Sequence, residues 1–77
     1  MKAYVLIKIR AGEVQTAVAK LRALPGVVEA QMTFGPYDAV AVVETVDVGR
    51  LGEITAAGIQ PIPGVERTLT CVAVDLK

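Results

Sequence analysis

The chain has 77 residues, 53% of them apolar, and its eight basic residues are balanced by eight acidic ones. That length holds one domain, running 1–77, and a body so small buries only about 60% of the surface its unfolded chain exposes. Scattered neutral charge, with no basic stripe and no aromatic platform, argues against direct nucleic-acid binding.

Lys2 to Arg10 is short and rich in Tyr, Val, Leu and Ile, which predicts a strand. Ala3, Val5, Ile7 and Ile9 line one face; Tyr4, Leu6, Lys8 and Arg10 line the other. Ala11-Gly12 breaks it. Glu13 to Leu24 follows as a helix, with Val14, Ala17, Val18, Leu21 and Leu24 forming one apolar stripe. Glu13 at its start and Lys20 and Arg22 near its end suit the helix dipole. Pro25-Gly26 stops it.

Val27 to Phe34 reads as the second strand. Val28, Ala30, Met32 and Phe34 share a face opposite Val27, Glu29, Gln31 and Thr33. Gly35-Pro36-Tyr37-Asp38 is a tight connection built from turn residues. Ala39 to Val46 is the third strand, apolar on both sides. Asp47 is placed to cap a second helix, from about Val48 to Ala57, with Val48, Leu51, Ile54, Ala57 and Gly58 as its apolar positions. Gly49 and Gly52 each weaken that helix by about 1 kcal/mol relative to alanine. Ile59 to Gly64 is a proline-stiffened connector, and Val65 to Leu76 the last strand. There Val65, Leu69, Cys71 and Ala73 oppose Thr68, Thr70, Val72 and Val74. Pro25-Gly26-Val27 returns as Pro63-Gly64-Val65, so the chain takes one helix-to-strand step twice.

The order is βαββαβ. Two right-handed crossover units joined by a hairpin give an α+β, ferredoxin-like fold: a four-stranded antiparallel sheet with both helices on one face. Strand three is apolar on both sides, and two helices can cover only one face, so a second, partly apolar face would be left in water. Pairing of two such sheet faces would bury that surface, in an obligate interface that often exceeds about 2,000 Å². A homodimer of the dimeric α+β-barrel kind is therefore expected.

The chain contains no histidine, serine, asparagine or tryptophan. No Ser-His or Cys-His nucleophile pair can be assembled, and no histidine- or cysteine-based metal site is expected. No cofactor is implied. Cys71 reads as a small strand hydrophobe and excludes an internal disulfide. The first residues lack a signal-peptide layout and no apolar run is long enough to span a membrane, so a reducing cytoplasmic setting is expected.

Three segments resemble the effector-binding domain of the Lrp/AsnC regulators. These are Ala3-Tyr4-Val5-Leu6-Ile7 in the first strand, the Gly35-Pro36-Tyr37-Asp38 turn, and Pro63-Gly64-Val65-Glu66-Arg67-Thr68-Leu69-Thr70 leading into the last strand. The likeness covers essentially the whole chain. It implies an amino-acid-sensing and oligomerisation module rather than an enzyme. It also implies sheet-face dimers that assemble into rings, commonly octamers or decamers, with effectors held between dimers. The family's transcription factors carry an N-terminal helix-turn-helix domain, for which 77 residues leave no room. A stand-alone member that works through a full-length regulator of the same family is the expectation.

Candidate ligand-binding residues follow from the turn and the last strand. The Asp38 carboxylate either meets the amino group of a bound amino acid or caps its own turn. Gly35 gives the turn its backbone freedom and leaves an N–H free for a carboxylate. Tyr37 packs on a partner subunit with its hydroxyl at the rim. Thr68 and Thr70 share a strand face, as ligand donors or as ordinary strand formers. Two other readings stay open: a small dimeric α+β-barrel enzyme of monooxygenase or isomerase type, and a purely structural oligomerisation module.

Overall fold

The computed structural model describes residues 1–76. Its elements are β1 (Lys2–Ile9), α1 (Val14–Arg22), β2 (Val27–Met32), β3 (Ala39–Glu44), α2 (Val48–Glu53), a π-helical continuation of α2 (Ile54–Ile59), and β4 (Val65–Val72). The sheet is antiparallel in the order β2-β3-β1-β4. This is the ferredoxin-like βαββαβ arrangement.

One face of the sheet makes the core. Ala3, Val5, Ile7 and Ile9 of β1, Ala39, Ala41 and Val43 of β3, and Ala30 of β2 are buried there. Ala17, Val18 and Leu21 of α1 and Leu51, Ile54 and Ile59 close the layer from above. The period-two pattern of β1 and the helical stripe of α1 are what set these contacts. Asp47 caps α2 as its position suggests, its Oδ1 accepting the Arg50 N–H at 2.8 Å.

The second helix runs further than its glycines suggest, and its end is a π-turn. Continued as an α-helix from Leu51 and Ile54, the core-facing stripe would reach Gly58, which has no side chain to bury. The wider turn places Ile59 there instead, and Ile59 is fully buried. Val48, expected on the apolar stripe, is exposed.

Both Pro-Gly-Val copies perform the same mechanical step. Gly26 and Gly64 adopt φ of 92° and 93°, a region that strongly favours glycine. The Gly26 carbonyl accepts the Glu44 N–H at 2.9 Å, and the Gly64 carbonyl accepts the Arg10 N–H at 2.7 Å. Each new strand is thereby fastened to its neighbour at once. A bulge follows in each copy. Val27 pairs with Val43 and Glu29 with Val42, leaving Val28 as the extra residue. Val65 pairs with Ile9 and Arg67 with Lys8, leaving Glu66 as the extra residue.

These bulges correct the strand faces expected from simple alternation. Val27 packs on the core while Val28 is exposed, and Val65 joins the core side rather than the side of Leu69 and Cys71. The strands are also shorter than expected. Phe34, Val46, Val74 and Leu76 lie beyond them and are exposed.

Candidate functional site

The expected site residues fall in two places. Gly35, Tyr37 and Asp38 lie at the β2–β3 tip. Thr68 and Thr70 lie on β4, across β1. Ile7 of β1 pairs with Ala39 on one side and with Thr68 on the other, which puts about two strand spacings, roughly 10 Å, between the groups.

The tip is held firmly. The Thr33 N–H donates to the Asp38 carbonyl at 3.0 Å, and the Asp38 N–H donates to the Ile7 carbonyl at 2.9 Å. The Thr33 hydroxyl donates to the Tyr37 carbonyl at 2.8 Å. The Asp38 Oδ2 accepts the backbone N–H of Ile9 at 2.8 Å, with the Lys8 ammonium 3.5 Å away. The carboxylate therefore takes the place of a strand carbonyl beside the end of β1. Neither sequence reading of Asp38 included this bond, because its partner lies 29 residues away. Phe34 is fully exposed at the tip, and Tyr37 is half-buried.

Thr68 and Thr70 belong to the same sheet side as Ile7 and Val5, the helix side. Thr70 lines an open groove of about 330 Å³ together with Val48, Leu51, Gly52, Thr55, Ala56 and Gln60. Asp38 instead stands beside Lys8, which belongs to the opposite side. One chain therefore does not bring the five residues together. The groove was not legible in the sequence, since it exists only where the end of α2 passes over β4.

The open side of the sheet carries a contiguous apolar patch: Tyr4 and Leu6 of β1, Val40 and Val42 of β3, Leu69 and Cys71 of β4. Lys8, Arg67 and Glu44 surround it, and the Lys2 ammonium lies 5.5 Å above the Tyr4 ring. Tyr4 and Leu69 are exposed. Among the described residues there is no buried polar or charged side chain and no cluster of three or more histidine, cysteine or carboxylate groups placed to hold a metal ion.

The family model for the Lrp/AsnC ligand-binding domain matches residues 2–76. The chain belongs to this family. The Lrp/AsnC domain is 35% identical over 72 residues to the HTH-type transcriptional regulator FL11 of Pyrococcus horikoshii, matching 94% of this chain and 47% of that protein. The crystal structure of TTHA0845 from Thermus thermophilus superposes with a TM-score of 0.93 at 39% identity, covering 99% of this chain and 95% of that one. AsnC of E. coli superposes with a TM-score of 0.90 at 25% identity, covering 97% of this chain and 51% of that protein. The Lrp/AsnC domain thus spans about half the length of FL11 and of AsnC, and nearly all of TTHA0845. These are regulators and a domain-sized homologue, and the enzyme alternative finds no support among them. No helix among the described residues is long and apolar enough to cross a membrane.

Proposed function

We propose that this Lrp/AsnC domain is a non-enzymatic, cytoplasmic sensor that binds an amino acid or a related metabolite between subunits. It pairs through the open sheet side into a homodimer, and dimers assemble into a ring. The apolar patch of Tyr4, Leu6, Val40, Val42, Leu69 and Cys71 carries the reading. Left in water, a contiguous patch of this kind is unusual for a monomer, and burying it is the main driving force for association.

The separation of the tip from β4 supports a site shared between chains. The tip of one subunit would offer the free oxygen of Asp38, the Gly35 N–H and the Tyr37 hydroxyl. A neighbouring subunit would offer the Thr68 and Thr70 hydroxyls. A ligand bound there contacts two subunits at once and so favours one assembly over another, which is what a sensor requires. The output is association with a full-length regulator of the same family.

Isothermal titration against the twenty amino acids, with light scattering on each mixture, tests both parts. Heat of binding together with a ligand-dependent change of mass is expected. A stable dimer that takes up no amino acid would leave the purely structural module as the correct reading. A stable monomer would remove the shared site altogether.

A further inference from the structure

The two edges of the sheet are treated differently. Lys2 accepts the Ala73 N–H through its carbonyl, so the even-numbered residues of β1 bond to the odd-numbered residues of β4. Alternation along an antiparallel pair then points the backbone N–H and C=O groups of Thr68, Thr70 and Val72 outward, away from β1. On the other edge, the Thr33–Asp38 bond by the same reasoning points the Ala30 carbonyl outward. That carbonyl is occupied: the Arg22 Nε donates to it at 2.9 Å. Both edge strands open on a bulge, at Val28 and at Glu66, but β2 is only six residues long. β4 has eight residues, and from Thr68 to Val72 it reads Thr-Leu-Thr-Cys-Val, with neither charge nor proline. Natural sheets blunt exposed edges with charges, bulges or covering groups, and an edge left long and uncharged is one that pairs.

We propose that the β4 edge is a second self-association surface, pairing antiparallel with β4 of another copy across a two-fold axis at Thr70. The residues are self-complementary in that register. Thr70 faces Thr70, and Thr68 faces Val72, so all three outward-pointing residues meet partners that point back. Leu69 of one copy faces Cys71 of the other on the open side, and Arg67 faces Ala73. Asp75 then lies diagonal to Arg67 on the same side, within reach of its long side chain. No like charges oppose each other. Glu66, the bulge residue, falls opposite Val74, which is exposed and has no cover within its own chain.

This surface is separate from the open sheet face. It deepens the ring reading, because a subunit with two different two-fold contacts builds either a closed dihedral ring or an open chain. It also sets two copies of Thr70 side by side at a subunit boundary.

Amide hydrogen exchange on the purified protein tests the edge directly. The Thr68, Thr70 and Val72 amides should exchange on the order of a hundredfold more slowly than free amides. Thr70→Pro deletes an outward N–H and leaves the β1 ladder intact. It should release protection at Thr68 and Val72 and lower the assembly mass, while the Tyr4 and Leu6 amides stay protected. If that variant does not fold, Thr70→Lys gives the same readings by charge repulsion. Fast exchange at the three amides in wild-type protein, or Thr70 variants of unchanged mass with Thr68 and Val72 still protected, overturns the proposal. So does protection in a species of monomer mass. A dimer that loses its mass on Val42→Glu but not on Thr70→Pro would uphold the face contact and reject the edge.

Discussion

Replacing Asp38 separates its structural bond from its proposed charge. Asp38→Ala removes the acceptor of the Ile9 N–H, a part-buried bond of 2.8 Å across 29 residues of chain. Leaving a buried donor unsatisfied costs about 1–3 kcal/mol. The Asp38 side chain is 26% exposed, so water recovers part of that loss and the lower half of the range, about 1–2 kcal/mol, applies. The Lys8 contact, at 3.5 Å between half-exposed groups, adds no more than about 0.5 kcal/mol. For a domain of this size each kcal/mol moves the melting temperature by about 4–8 °C, so a fall of roughly 4–20 °C is expected. Asp38→Asn keeps an oxygen in place and loses only the charge, which should cost less than about 1 kcal/mol. The assay pairs thermal unfolding by circular dichroism, at one fixed protein concentration, with titration of amino acids. Alanine should lower the melting temperature; asparagine should nearly preserve it while abolishing binding of the ligand's amino group. An alanine variant melting within about 2 °C of wild type would refute the structural bond. An asparagine variant binding as tightly as wild type would refute the proposed role of the charge.

Val42→Glu sets a carboxylate in the middle of the open patch and should turn the dimer into monomers by light scattering, with the far-ultraviolet spectrum unchanged. Gly64→Ala forces an alanine to φ near 93°, at about 1–2 kcal/mol, and brings its Cβ to 2.8 Å from Glu13 Cβ. It should therefore melt below Gly12→Ala, which has φ 89° but nothing within 4 Å; equal melting points would count against the contact. Ile59→Ala empties a fully buried position under the π-turn and should cost about 2–5 kcal/mol by chemical denaturation.

Much of the molecule is written locally. The alternation in Lys2–Ile9, the apolar stripe of α1, the Asp47 cap and the Pro-Gly stops each depend on residues within a few positions of one another, so they are legible without the fold. Together they determine the βαββαβ order and leave one sheet side apolar and uncovered. The repeated Pro-Gly-Val likewise announces two equivalent helix-to-strand steps. The candidate residues were legible as residue types at a turn and on a strand, but not as a site.

What tertiary structure decided is register. A bulge of one residue exchanges Val27 for Val28 at the core and moves Val65 to the side opposite Leu69, and period-two reading cannot see an inserted residue until a partner strand counts it. The π-turn chooses Ile59 over Gly58 because the core has a space that only packing defines. The partner of Asp38 lies on another strand, and the groove beside Thr70 exists only where two distant elements meet. The occupied β2 edge and the open β4 edge depend on which backbone groups point outward, a property of pairing rather than of sequence. Local free-energy preferences select the elements; their alignment is settled by contacts far apart in the chain, and the surfaces available to ligands and partners follow from that alignment.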